Sequence, residues 1–165
     1  MVAAFKRQIA HINEEIRKLD DAMRVVIAND PEYARRDRIL RSIPGFGPIT
    51  AAILCAEMPE LGTLGRRQAA SLIGVAPFPD DSGKRAGLRY IKGGRASPRT
   101  VLFMAATSAV RYNRDMNLFY NRLTGEGKKH KVAVTAVMRK LIILANVLLR
   151  DDREWSASAP AAAAG

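Results

Sequence analysis

Cysteine, histidine and carboxylate are scarce in this chain, and each shortage removes a class of chemistry. Cys55 is the only cysteine and sits among the apolar residues of ITAAILCAEM. A disulfide or a thiolate metal cluster within one chain is therefore excluded, and the residue reads as a small core side chain. The histidines, His11 and His130, are far apart, each alone in a helical pattern. That separation argues against zinc and reads both rings as solvated. No Asp or Glu occurs from Ser82 to Asn113, and nowhere do carboxylates gather in the number that metal-dependent strand cleavage requires. The neighbours Asp80 and Asp81 read as solvated turn residues rather than as magnesium ligands. No cofactor or metal is expected in this chain.

Long apolar runs are also missing. No run reads as long enough to span a bilayer, and the basic residues do not line one amphipathic helix. The opening MVAAFKRQIAHINEEI carries charge throughout and has no signal-peptide core. A membrane is not the expected partner; the cytoplasm, close to the nucleoid, is the expected compartment.

What the chain does have is positive charge. In 165 residues, Lys+Arg outnumber Asp+Glu by 27 to 16, a formal +11 with a pI near 10.4. A polyanion is the partner this implies, and nucleic acid fits best. The length suits one small domain with an extension.

Apolar residues recur at Phe5, Ile9, Ile12, Ile16, Leu19, Met23 and Val26, in alternating steps that make the seam of a coiled coil. The polar residues between them favour a homodimer, or a higher oligomer, through residues 5–26. An amphipathic helix packed on its own domain would show the same pattern. Asn29, Asp30 and Pro31 end this helix. A second helix, roughly Pro31 to Ser42, leads into a tight turn at Pro44, Gly45, Gly47 and Pro48. Residues 61–65 read as a loop and 66–73 as a short helix. A long loop from Ala76 to Ala96 follows. Ser97 reads as an N-cap followed by Pro98 at the first helical position, opening a helix through Val110. A last helix is expected from about Lys131 to Arg150, and then a low-complexity, disordered tail. No strand pattern appears. The fold class expected is all-α: a coiled-coil helix over 1–30, a helix-hairpin-helix domain over 31–150, and a tail over 151–165.

Two features point to phosphate. In the hairpin Pro44-Gly45-Phe46-Gly47, glycines let backbone amides approach a phosphate, and the next helix adds the positive end of its dipole. A structural turn that touches no ligand has the same sequence. The second feature is the glycine-rich basic loop with Lys84, Arg85, Arg89, Lys92, Arg95 and Arg99, which could fold around a sugar-phosphate backbone. A solvated basic loop is its plain alternative. Ser82, beside Lys84 and Arg85, has the chemistry to attack a phosphodiester. Asp-Ser-Gly is also ordinary turn chemistry, and Ser97 is a rival serine.

The ordered segments IPGFGPITAAILCAEM, SLIGVAPFPDDSGKRAGLRYIKGG, SPRTVLFMAATSAVRYN and KKHKVAVTAVMRKLIILANVLL resemble the C-terminal domain of a transposase family. This is the insertion-sequence group often called IS-one-ten, related to Piv-type DNA invertases. The resemblance covers roughly Arg38 to Leu149, and the helix before it resembles the family's connector. It implies a full-length recombinase with an N-terminal RuvC-like domain whose carboxylates bind Mg²⁺, absent from this chain. It also implies a serine, here corresponding to Ser82, that links covalently to double-stranded DNA, and guidance by a structured RNA. A chain of this kind is expected to be inactive alone. A non-enzymatic DNA- or RNA-binding and dimerisation module is the rival expectation, and a purely structural dimerisation protein a third.

Overall fold

The computed structural model describes residues 2–78, 90–91 and 93–157. Among them the chain is helical, with one short ladder: α1 (Val2–Asn29), α2 (Pro31–Arg41), α3 (Pro48–Glu57), α4 (Arg66–Leu72), β1 (Pro77–Phe78), β2 (Tyr90–Ile91), α5 (Ala96–Tyr112), α6 (Arg114–Gly125) and α7 (His130–Arg150). It divides into two compact units, Met1–Arg35 and Arg36–Gly165.

In the first unit, α1 has no buried residue. The seam residues all face solvent, from Met23 at 43% to Val26 at 70% exposure. Between them the polar face carries its own short-range pairs, Lys18 with Glu15 at 2.9 Å and Arg24 with Asp21 at 3.2 Å. Exposed i,i+3 pairs add little stability. The chain breaks at Asp30, whose Oδ1 accepts from the Glu32 amide at 2.9 Å and the Tyr33 amide at 3.2 Å. One aspartate thus satisfies two of the unpaired amides that open α2.

In the second unit α5 and α7 form the central pair. Helices α3 and α6 pack on α5, while α4 and α6 pack on α7. Eleven of the 21 residues of α7 are buried, so it is the core helix. By length and apolarity α7 does reach what a bilayer span needs, contrary to the expectation from the sequence, but most of it is buried inside the domain. Asn146 ties it to the loop after α3: Oδ1 accepts from the Gly62 amide at 2.9 Å, and Nδ2 donates to the Leu64 carbonyl at 2.7 Å. Across the domain, the Arg36 guanidinium donates to the carbonyls of Met58, Pro59 and Leu61. These include acceptors left open where α3 ends.

Several expectations change. Helix α5 begins at Ala96, with Arg95 rather than Ser97 as its N-cap, because the Ser97 hydroxyl instead donates to Glu57 Oε1 at 2.7 Å. Helix α6 was not expected. It is opened by Asn113, whose Oδ1 accepts from the amides of Asp115 and Met116 at 3.1 and 3.3 Å. A ladder exists, antiparallel, pairing Pro77 with Ile91 and Phe78 with Tyr90. His130 is exposed but does not stand alone, since its Nδ1 lies 2.7 Å from the Tyr120 hydroxyl. The start of the expected tail is docked: the Trp155 amide donates to Ser42 Oγ at 2.7 Å.

Candidate nucleic-acid interface

The turn between α2 and α3 holds its two glycines in different ways. Gly45 has φ +107°, and a Cβ placed there would lie 2.7 Å from Ala109 Cβ and 2.9 Å from the Ala105 carbonyl oxygen. Its missing side chain is what lets the turn seat on α5. Phe46 follows it into the core at 6% exposure, and its amide donates to Ile43 O at 2.9 Å. Gly47 is the opposite case. Its φ is −91°, and a Cβ there would meet nothing within 4 Å.

Gly47 is the N-cap of α3, Pro48 is its first residue, and no side chain caps it. Its carbonyl accepts from the Ala51 amide at 3.0 Å, whereas the amides of Gly47, Ile49 and Thr50 find no acceptor among the described residues. A helix start with amides unpaired and no capping oxygen can accept an anion, because its donors lack acceptors and the dipole leaves partial positive charge there; Gly47 and Ile49 are the accessible positions, since Thr50 is buried. Pro44 is half-buried beside it. On the last turn of α2, Arg38 is exposed, and Arg41 pairs with Asp37 at 3.4 Å.

The base of the basic loop is pinched shut by backbone. A Cβ on Gly74 would collide with the Gly93 carbonyl, and one on Gly94 with the Gly74 backbone; all three glycines have positive φ. The Arg95 amide donates to Leu72 O at 2.9 Å, and the half-buried Arg99 donates through Nη1 to Gly93 O. The Arg95 guanidinium is committed as well. It donates to both Glu60 oxygens, at 2.6 and 2.8 Å, and to the Glu57 carbonyl. Those hydrogen bonds hold the Glu60 carboxyl down to about 2 and raise the Arg95 pKa. Gly93, Gly94, Arg95 and Arg99 therefore build the loop's neck, a role that sequence reading missed.

Ser82, Lys84, Arg85, Arg89 and Lys92 lie outside the described residues. The structure brings Arg95 and Arg99 together at the start of α5. The hairpin contacts Ala105 and Ala109, roughly 6 to 14 residues or about 9 to 21 Å further along that helix. Cys55 is buried, and burial pushes its thiol up to about 11. Among the described residues no three His, Cys, Asp or Glu side chains converge as metal ligands do.

The profile of the transposase IS116/IS110/IS902 family matches residues 37–121, the stretch holding the hairpin, the neck and α5. The chain belongs to this family. It is 31% identical over 166 residues to an uncharacterized protein of insertion element IS900 from Mycobacterium paratuberculosis, covering 94% of this chain and 41% of that one. To an uncharacterized protein of insertion element IS116 from Streptomyces clavuligerus it is 29% identical, with 97% and 40% covered. It is also 30% identical to the pilin gene-inverting protein of Moraxella bovis, with 89% and 47% covered. The transposase-family chain thus spans less than half the length of these relatives.

Proposed function

We propose that this chain is the DNA-handling part of a transposase or site-specific recombinase, working on double-stranded DNA in the cytoplasm. The observation that carries the reading is the open start of α3: unpaired amides, no cap, and a turn locked to α5 by Gly45. Amides without acceptors at an uncapped helix start hold a phosphate without reading base sequence, which gives positional, salt-sensitive binding. Family membership and the similarity to a gene-inverting protein support the same reading. In this reading Pro44, Gly45 and Phe46 position the turn, and Gly47 meets the phosphate. Lys84, Arg85, Arg89 and Lys92 add cations from the loop, while Arg95 and Arg99 hold its neck. As a helix-hairpin-helix, the motif contacts the backbone of one strand.

The chemistry proposed is serine-assisted. Ser82 Oγ attacks a phosphodiester, its proton passing to a base, and the departing strand keeps the leaving 3′ or 5′ oxygen while a covalent serine–DNA ester forms. Mg²⁺ held by a RuvC-like partner domain would stabilise the phosphoryl charge. This chain supplies the serine and the grip. The seam of α1 would pair it with a second copy as a coiled coil, burying Phe5, Ile9, Ile12, Ile16, Leu19, Met23 and Val26. A structured RNA is a second polyanion that the same surface suits.

The test joins the chain to a RuvC-like domain and compares it with Ser82→Ala. Duplex binding should be unchanged, while the covalent adduct seen on denaturing gels disappears. Persistence of the adduct would overturn the nucleophile. If no adduct forms with either protein, the rival reading, a non-catalytic module for binding and pairing, takes its place.

A further inference from the structure

The second unit carries a positive surface outside the hairpin and the loop. From Arg111 to Lys140 there are eight Lys/Arg against two Asp/Glu, so more than half of the formal +11 falls on 30 residues. Arg111, Arg114, Arg122, Lys128, Lys129, Lys131 and Lys140 are all exposed. Of these, only Arg122 has a carboxylate partner among the described residues, Glu126 at 3.6 Å.

The arrangement runs against what would stabilise the helices themselves. Lys129 is the N-cap of α7, with no side-chain cap and no acidic residue in the first turn. Lys128, Lys129 and Lys131 therefore stand at the positive end of the dipole of a 21-residue core helix, where carboxylates would be favourable. Like charges there repel one another and the helix start. A local rule broken without structural gain marks a functional surface.

Aromatic rings fix the patch in place. Phe119 holds Lys140 Nζ at 4.8 Å and Arg122 Cζ at 5.5 Å from its ring centre. The Tyr120 hydroxyl meets His130 Nδ1 at 2.7 Å, with the two rings edge to face. That contact engages Nδ1 and leaves Nε2 of an exposed imidazole that Lys129 and Lys131 flank in the chain. The result is a run of exposed cations with little competing carboxylate, spread along the turn and so suited to a chain of phosphates rather than to a compact anion.

We propose that the α6–α7 turn, through Lys128, Lys129, Lys131 and His130, is a second contact for a sugar-phosphate backbone, separate from the hairpin. It rests on the reading of the chain as a nucleic-acid binder, and it adds a surface to that reading.

The experiment measures binding of the full chain to a duplex DNA and to a hairpin RNA over a range of salt, by fluorescence anisotropy. The variants are K128Q/K129Q/K131Q and a control, K6Q/R17Q/K18Q, that removes the same charge from α1. The α7 variant should lose at least tenfold in affinity, and its log–log salt slope should shrink by about two to three, close to 0.9 for each phosphate no longer neutralised. The control should change neither by that much. Because the three lysines are exposed and crowd the positive end of the α7 dipole, melting by circular dichroism should hold at the wild-type midpoint or rise slightly above it. A wild type that binds while both variants bind equally well overturns the second contact alone. A wild type that binds neither nucleic acid overturns the parent reading and this one together. Loss confined to the DNA or to the RNA arm names which backbone the turn holds.

Discussion

The Glu60 carboxylate takes both terminal nitrogens of Arg95, at 2.6 and 2.8 Å, and so fastens the end of α3 to the neck of the basic loop. A fork-to-fork pair of this kind fixes direction as well as distance. Glu60 is depressed to about 2 from its ordinary 4.5, chiefly by the Arg95 hydrogen bonds. A carboxyl with a depressed folded pKa stabilises fully above 4.5, and the contribution fades as pH falls from 4.5 towards 2. The thermal midpoint of the wild type should therefore drop faster over that window than that of Glu60→Gln. Since the pair is partly exposed the difference should be modest. Parallel curves would show that the pair contributes nothing.

The glycine neck should tolerate no side chain. Gly94→Ala sets a Cβ against the Gly74 backbone at positive φ, which should cost about 3 kcal/mol and lower the midpoint by on the order of 10 °C. Gly127→Ala, at φ +82° but with nothing within 4 Å, should cost less, about 1 kcal/mol. Differential scanning calorimetry of the two decides the matter; equal losses would mean that the neck is not tight.

The two hairpin glycines should separate stability from binding. Gly45→Ala drives a methyl into Ala109 and should destabilise the domain. Gly47→Asp has open space and supplies the capping oxygen that α3 lacks. It should hold or raise stability by roughly 0.5 kcal/mol. The same carboxylate occupies the anion's place, so duplex affinity should fall at least tenfold, about 1.4 kcal/mol. Unchanged affinity in Gly47→Asp would remove the hairpin from the interface.

Cys55 should be inert. With its thiol pushed up to about 11 by burial, little thiolate exists near neutrality. Iodoacetamide should leave it unmodified in the native protein and label it promptly in guanidinium. Fast native labelling would mean that the core around α3 opens readily.

The helical class is legible in the sequence because amphipathic periods are local: the helical spacing of α1 and the core face of α7 can both be read from it. The hairpin is legible for the same reason, as Pro and Gly punctuate it. What escapes depends on partners distant in the chain. Ser97 looks like an N-cap until Glu57, 40 residues earlier, takes its hydroxyl. Gly93 and Gly94 read only as part of a glycine-rich loop until the Gly74 backbone is seen against Gly94 and the Gly93 carbonyl. Arg95 reads as an uncompensated cation, since Glu60 lies 35 residues away. Helix α6 does leave a local signal, Asn113 ahead of Arg-Asp, a capping residue followed by a carboxylate in the first turn. The basic α6–α7 turn is harder to see because its charges are interrupted by two carboxylates, Asp115 and Glu126, whereas residues 82–113 contain none.

The most direct measurement is a titration of duplex DNA with the full chain at rising salt. The account predicts clear binding in dilute buffer, with log affinity falling linearly with log salt by about 0.9 for every phosphate engaged. A protein that leaves the duplex free at the lowest salt, while its circular dichroism shows the helices intact, would contradict it.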